Sequence, residues 1–364
     1  MNILLVTRPL SPPWNEGGKN LAYGIARNTK NNNIHLLVRK NFNEKLNKNI
    51  ILHKIYPTKH KYNISFFEKF KLFFFLLRIK NIDIYHFIYT PELYSSFINK
   101  LILKIKGKKS IQTIPTRLKD IDKIRNLIFA DKIIAITDFT KNLFLNNGIK
   151  NVIRINTGID VNYFKPFKKD KNLLNKFNLI DKYIILVPID IEKRKSTRMI
   201  LNLIKDLQDI ENLKFMVPYR ATKEKIKEEI AFKNYLKKLN LSNKILFFRN
   251  PDIRNLINIS NLMIYPVVDT YEKHEIPMIL LECMAMEKPI IMFDIAPFNE
   301  IIKNKEGIKV KNELEMKNAI LKFIKNKSLA KKIGKLARKR VVNDFNINKT
   351  AQLYNKVYKN LLIS

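Results

Sequence analysis

Between Tyr271 and Asp294 the chain reads YEKHEIPMILLECMAMEKPIIMFD, and three of these residues could do chemistry together. His274 and Glu275 stand in a polar lead-in, while Glu282 stands inside an apolar run. A carboxylate in an apolar helix needs hydrogen-bond partners, because giving up water is costly. The vicinal hydroxyls of a ribose would serve, and so would a lysine or arginine of the core; the residues alone leave both open. Pro277 suits the first position of a helix, where a missing N–H costs nothing. Such a helix start presents unpaired N–H groups and the positive end of the dipole, a combination that favours phosphate. The stretch therefore reads as a nucleotide cradle, with phosphate at Ile276, Pro277 and Met278 and sugar hydroxyls at Glu282.

The elements that must position this cradle follow from the pattern. Met278–Met286 is apolar enough to be a buried helix, Lys288-Pro289 ends it, and Ile290–Phe293 reads as a short buried strand. Cys283, beside Glu282, reads as a small core side chain. Earlier in the chain, a strand over Asn2–Thr7 leads through the loop Arg8–Gly18 to a helix over Lys19–Asn28. The pair Gly17-Gly18 lets backbone approach a ligand closely. The dinucleotide fingerprint G-x-G-x-x-G is absent. Strands are predicted at Ile34–Val38, Ile50–Tyr56, Ile82–Ile88 and Lys109–Ile114, the last running into Pro115-Thr116; Thr90-Pro91 opens a helix. A second series begins at Tyr183–Val187 and continues at Leu213–Pro218, Lys244–Phe248, Leu262–Tyr265, Pro289–Phe293 and Gly307–Val310. Two successive strand–helix series argue for an α/β chain of two doubly wound, Rossmann-like sheets. Ligands of such sheets lie at the carboxyl ends of the strands, which here predicts a cleft between domains.

Composition narrows the class. A chain of 364 residues exceeds one hydrophobic core and suggests two domains, and 46% hydrophobic residues can fill them. A single cysteine rules out an intrachain disulfide and suits a reducing compartment. Met1–Thr7 is a strand without a basic leader or cleavage site, and no apolar run nears the ~20 residues of a membrane span, so a cytoplasmic location is expected. The formal charge of +37 has two competing explanations. One is an anionic partner, whether membrane, substrate or nucleic acid; the other is the Lys-, Asn- and Ile-rich usage of an AT-rich coding sequence. Ser65–Lys80 interleaves Phe66, Phe67, Phe70, Phe73, Phe74 and Phe75 with Lys69, Lys71 and Arg78. Such a helix can lie in a membrane interface or pack on a sheet. Asp120-Ile121-Asp122 has the spacing of a metal-binding Asp-x-Asp, but it sits at a helix start, where acidic residues are ordinary. No metal is expected.

The cradle resembles the donor-site motif of retaining GT-B glycosyltransferases of the family 4 type, in which a Glu, seven residues and a second Glu precede a small-residue helix and a Lys-Pro-Val-Ile strand. Glu282, Ala285, Met286, Lys288, Pro289, Ile290 and Ile291 match; the first motif Glu falls on His274, with Glu275 one place later. Asp131, Gly158, Asp160, Phe164 and Pro166 resemble the family's passage into its second domain. Gly17-Gly18 resembles its N-terminal Gly-Gly loop. The resemblance implies domains at 1–166 and 167–344, with 345–364 a terminal helix crossing back to the first. It implies retaining sugar transfer from a nucleotide sugar to an acceptor hydroxyl, without a cofactor. Lys195 falls on the family's diphosphate-binding Lys, with Ser196 for the glycine that follows, and Asp190 falls where an Arg is expected. Arg194 stands beside Lys195 and can grip phosphate bidentately. The resemblance thus assigns donor binding to Gly17, Gly18, Arg194, Lys195, Ile276, Pro277, Met278 and Glu282, and donor-sugar contacts to His274 and Glu275. On the acceptor side stand Thr90, Pro91, Pro115 and Thr116, Pro115 taking the place of a family histidine. A glycan or lipid-linked acceptor at an anionic membrane surface is expected from the charge and the Phe-rich helix. Two rivals stand beside this reading. One is a non-catalytic relative that binds a nucleotide sugar or a partner enzyme; the other is a nucleic-acid-binding protein, which lacks any recognisable module here.

Overall fold

The structure, a computed structural model, describes every residue except 13, 15, 59–63, 119–120, 192–193, 269–273, 304 and 364, with no side-chain detail for Ile121 and Arg194. The chain divides into two compact units.

The first unit takes Met1–Asp160, Thr270–Pro277 and Asp344–Ser364. Its elements run β1 (Asn2–Val6), α1 (Gly17–Asn28), β2 (Asn33–Arg39), β3 (Ile50–Tyr56), α2 (Phe66–Arg78), β4 (Ile84–Ile88), α3 (Leu93–Lys106), β5 (Lys109–Ile114), α4 (Ile124–Leu127), β6 (Lys132–Ala135), α5 (Asp138–Asn146) and β7 (Val152–Arg154). The strands form one parallel seven-stranded sheet in the order β3-β2-β1-β4-β5-β6-β7. Both faces of a parallel sheet are covered, which is why β1 and β4 are mostly apolar and are buried along nearly their whole length. Helix α2 is opened by a reciprocal cap: Ser65 N–H donates to Glu68 Oε2 at 2.8 Å and Glu68 N–H to Ser65 Oγ at 3.4 Å. One side of α2 packs through Leu72, Phe73, Leu76 and Leu77 onto a core shared with Ile102 and Leu103 of α3. The membrane and core readings of this helix are therefore not exclusive.

The second unit takes Val161–Asp269 and Met278–Asn343. It contains α6 (Lys171–Lys176), β8 (Tyr183–Leu186), α7 (Arg194–Asp206), β9 (Leu213–Tyr219), α8 (Lys223–Lys238), β10 (Ile245–Arg249), α9 (Ile253–Ile259), β11 (Leu262–Tyr265), α10 (Met278–Ala285), β12 (Ile290–Phe293), β13 (Ile308–Val310), α11 (Glu313–Lys325) and α12 (Lys327–Asp344). Its parallel six-stranded sheet is ordered β10-β9-β8-β11-β12-β13. Lys288 closes the α10–β12 turn, its ammonium donating to the carbonyls of Asn258 and Ser260 at 2.8 Å each. Burial lowers its pKa to about 8. The lysine of the Lys-Pro pair is thus a structural clasp on the end of α9.

The last helix, α13 (Ile347–Ile363), belongs to the first unit and packs on α1. Gly24 makes this contact possible, since a Cβ there would lie 2.6 Å from Ile347 Cδ1. Tyr358 OH bonds His86 Nδ1 and Thr113 Oγ1 bonds His86 Nε2, both at 2.8 Å. This buried network ties α13 to β4 and β5, and burial lowers the His86 pKa to about 3.

Two predicted boundaries move. The first unit ends at Asp160 rather than Pro166, and Thr270–Pro277 belongs to it rather than to the second domain. Helix α3 begins at Leu93, leaving Thr90-Pro91 in the loop before it.

Candidate active site

In a doubly wound sheet a crevice opens where the strand order reverses, at the carboxyl ends of the two strands flanking that point. In the first unit those strands are β1 and β4; in the second they are β8 and β11. The loops after these four strands carry most of the residues singled out in the sequence.

In the first unit the loop after β1 leads to Gly17, the first residue of α1, and the loop after β4 carries Thr90 and Pro91. Pro115 and Thr116 extend β5 beside β4. His274 joins them across an antiparallel bridge with Thr116, and Glu275 N–H donates to the Pro115 carbonyl at 3.0 Å. Thr90 and Thr116 share a short hydroxyl–hydroxyl hydrogen bond. The His274 ring lies over Gly17: a Cβ at that glycine would come within 2.4 Å of His274 Cδ2 and 2.9 Å of Nε2. A Cβ at Gly18 would stand 3.6 Å from Pro115 Cγ. Gly17, Gly18, Thr90, Pro115, Thr116 and His274 thus converge on one end of the sheet.

The two residues of the lead-in take different parts. His274 Nδ1 lies 2.7 Å from the Ile276 carbonyl oxygen, so Nδ1 carries the proton and donates. Burial lowers the pKa of this imidazole to about 4, so at neutral pH it is uncharged. Its Nε2 is left as a lone-pair acceptor, buried and with no hydrogen-bond partner among the described residues. Glu275 is fully buried, and both its carboxylate oxygens are engaged. Thr137 Oγ1 donates to one at 2.7 Å, and Thr140 Oγ1 donates to the other. Thr137 caps α5, accepting from Thr140 N–H at 3.2 Å. Glu275 therefore anchors the loop to the start of α5. A donor-sugar contact, the part expected of it, would require breaking that anchor.

In the second unit α7 starts after β8. Lys195, in its first turn, is exposed, and its ammonium has no partner among the described residues. The side chain of Arg194 lies outside the described residues. Ser196 Oγ donates to the carbonyl of Pro266, just past β11, at 3.3 Å, which joins the loops that flank the reversal point. Asp190 pairs with Lys225 at 3.0 Å, so it is held by a neighbour of its own unit. Helix α10 follows β11, and Glu282 lies in its second turn. The lysine or arginine that would make Glu282 an ordinary core carboxylate is not there: its carboxylate has no partner among the described residues. Burial pushes its pKa up to about 7. Met278 opens α10, with Ile276 and Pro277 buried immediately before it. Cys283 is fully buried and its thiol pKa is raised by that burial, which fits a core residue.

Of the lead-in, residues 271–273 lie outside the described residues, as does Asp120 of the Asp-x-Asp. No group of three or more His, Cys, Asp or Glu side chains placed to hold a metal occurs among the described residues. Sequence reasoning missed Thr137 and Thr140. Their signal was a Thr at the start of α5, but nothing local shows that a carboxylate more than 130 residues away would use it.

Residues 169–340 match the family described as glycosyl transferases group 1. A curated relative, an uncharacterized glycosyltransferase of Methanocaldococcus jannaschii, is 26% identical over 66% of this chain, and the match spans 61% of that relative's length. Three solved structures are similar over nearly the whole chain. Sucrose-phosphate synthase from Thermosynechococcus elongatus superposes with a TM-score of 0.79 at 16% identity, over 100% of this chain and 99% of that one. HepE of Anabaena, solved with UDP and glucose, gives 0.77 at 12% over 98% and 99%. A glycosyltransferase from Rickettsia africae gives 0.75 at 22% over 99% and 98%. These similarities and the two parallel sheets identify the fold as GT-B.

Proposed function

We infer that this chain, whose residues 169–340 match the glycosyl transferases group 1 family, moves a sugar from a nucleotide sugar to an acceptor hydroxyl with retention of configuration. The observation that carries this reading is Glu282, a carboxylate in an apolar helix with no partner among the described residues. A ribose supplies two hydroxyl donors, and their hydrogen bonds favour the ionised form that burial disfavours. The leaving group is a nucleoside diphosphate, and stabilising the charge that develops on it is the main electrostatic task. Lys195 in the first turn of α7 is suited to that task, with Arg194 beside it and the N–H groups at the start of α7 as further donors. In the first unit the free acceptor atom is His274 Nε2, matched to a hydroxyl of the donor sugar. Thr90 and Thr116 supply hydroxyls for the acceptor. These groups need no bound metal.

The acceptor we propose is a glycan or lipid-linked sugar at an anionic membrane surface, worked on from the cytoplasmic side. No helix among the described residues is long and apolar enough to cross a membrane, so such an enzyme would reach its acceptor from the surface.

The test is nucleotide release. Purified protein is given UDP-, GDP- and ADP-sugars with and without membrane lipid extract, alongside Glu282→Ala. UDP-sugars lead the panel because HepE of Anabaena is solved with UDP-glucose. Release from one donor, raised by extract and lost in the variant, identifies donor and activity together. Binding of a donor by folded protein without release under any acceptor condition would favour the non-catalytic relative, a reading to which His274, Pro115 and Asp190 contribute by departing from the family pattern.

A further inference from the structure

Helices α2 and α3 cover the same face of the first sheet. The crossovers β3–α2–β4 and β4–α3–β5 run the same way across it, and right-handed connections place both helices on one side. Their shared core, with Leu76 meeting Ile102 and Leu103, bears this out. The opposite sides of both helices face solvent, and they are not polar. On α2, Phe66, Phe70 and Phe74 form a ridge at intervals of four residues, with Phe67 beside it at 78% exposed. Their rings touch one another, Phe70 meeting Phe74 edge-on at 4.7 Å, and Phe74 also meets Phe73, which packs on the core. On α3, Phe97, Leu101 and Ile105 form a second ridge of the same period, with Tyr94 at its head; Phe97 is 69% exposed. A groove on α2 is floored by Ile55, Phe70, Phe74 and Phe75, and Lys71 and Arg78 complete its lining.

The exposed charges within the two helices have one sign, with the acid Glu92 standing just before α3 as its N-cap. Lys69, Lys71 and Arg78 of α2 and Lys100 and Lys104 of α3 are exposed. The single acid of α2, Glu68, is buried and bonded to Ser65, and α3 has none. Isolated surface hydrophobes are ordinary, but two parallel ridges flanked by cations are not. Self-association would set like charges against each other, which is unfavourable. A partner that is both apolar and anionic meets every requirement.

We propose that the outer face of α2 and α3 is a docking surface for an anionic lipid bilayer. The aromatic and aliphatic ridges enter the headgroup–acyl boundary, and the lysines and Arg78 meet lipid phosphates. Both helices start at the carboxyl ends of their strands, and Tyr94 follows Thr90 by four residues. The membrane is thereby brought to the end of the sheet where Gly17, Thr116 and His274 converge. This deepens the proposed function by naming the surface that would present a lipid-linked acceptor.

The full-length protein is sedimented with vesicles of phosphatidylcholine alone and of phosphatidylcholine with phosphatidylglycerol, in the absence of donor. We expect binding to the anionic vesicles only, weakened by salt. The variants F66S/F67S/F70S and Y94S/F97S should each lower it at least tenfold, with unchanged thermal melting because all five side chains are exposed. Each of Lys69→Gln, Lys71→Gln and Lys104→Gln should lower it about fivefold. Absence of binding to anionic vesicles, or binding that neither multiple variant weakens, would overturn the proposal. So would a homodimer that the same variants dissolve, since the ridges would then be serving a second copy. Release of nucleotide from soluble donor is measured on the same samples. If it is absent while vesicle binding behaves as expected, the transferase reading fails and the docking surface stands.

Discussion

The carboxyl ends of the two sheets are built alike and furnished differently. Each lies at a reversal of strand order and carries a helix start, polar side chains and one carboxylate within or just before a buried segment. In the first unit these groups satisfy one another. Glu275 is held by Thr137 and Thr140, Thr90 by Thr116, and His274 Nδ1 by the Ile276 carbonyl. In the second, Glu282 and Lys195 have no partner among the described residues. Glu282 is half-buried in an apolar helix and its pKa is raised by that burial, so a ligand that brings hydroxyl donors would complete it. The first unit is pre-organised, with one acceptor atom to spare; the second is organised by what it binds. The two carboxylates, seven residues apart in sequence, should accordingly respond to substitution in opposite ways.

The largest expected effect is on turnover. Lys195→Ala removes a cation from the developing diphosphate and should lower kcat/KM on the order of 10²-fold, with stability unchanged within about 0.5 kcal/mol because the side chain is exposed. Steady-state rates beside a thermal melt check both halves, and a normal rate would remove Lys195 from the site. Glu275→Ala should do the reverse and cost stability first. It leaves two threonine hydroxyls unpaired in a buried place, a loss of about 3 kcal/mol. Calorimetry should show the melting temperature down by roughly 6–12 °C. If the protein melted normally and only turnover fell, Glu275 would be the sugar contact that the resemblance expects.

Glu282→Gln sharpens the comparison through its pH dependence. The folded pKa lies above the ordinary carboxylate value, so the folded protein holds this proton more tightly than the unfolded chain does. Stability associated with the group is fully present below about pH 4.5 and lost as pH rises through about 7. The amide avoids that loss, so Glu282→Gln should melt higher than the parent at pH 8, by about 1–3 kcal/mol, with the gain shrinking to nothing near pH 4. Donor affinity runs the other way. The ionised carboxylate accepts two ribose hydroxyls, so parental KM for donor should fall as pH rises through about 7, and the variant should lack that limb. Stabilisation together with lost affinity is what a ligand-completed group shows. A variant destabilised at every pH would make Glu282 a structural residue.

Much of this was legible in the sequence because it is local. Ile50–Tyr56, Lys109–Ile114 and Leu262–Tyr265 are strands at their predicted limits, since a short apolar run bounded by turn residues has few other conformations. The helix at Met278 and the strand at Ile290 were legible for the same reason. The motif of Glu282 and Lys288-Pro289 led to the GT-B fold. What the sequence did not show is pairing at a distance. The resemblance put His274 and Glu275 together as sugar contacts, yet successive residues of an extended segment point opposite ways. His274 turns over Gly17, and Glu275 turns into the threonines of α5. The Phe-rich segment was ambiguous because its composition gives no side. Only the fold shows that Leu76 faces the sheet while Phe66 and Phe70 do not.

The smallest effect tests the spare atom of the first unit. His274 Nδ1 is used in holding its own loop, so only Nε2 is available to a substrate. An asparagine at this position places its amide near Nδ1 and can keep the bond to the Ile276 carbonyl, while a glutamine reaches as far as Nε2. If Nε2 accepts from a sugar hydroxyl, His274→Ala and His274→Asn should both lose about tenfold in kcat/KM, the worth of one neutral hydrogen bond, and His274→Gln should recover part of it. If the residue only holds the loop, asparagine should be the better substitute. The pH profile gives an independent check: with its pKa lowered to about 4, the imidazole is neutral throughout the assay range. The limb near pH 7 should therefore survive in His274→Gln and vanish only in Glu282→Gln. A limb that followed His274 instead would mean that the imidazole is charged in the working enzyme, and the first unit would then be the one left incomplete.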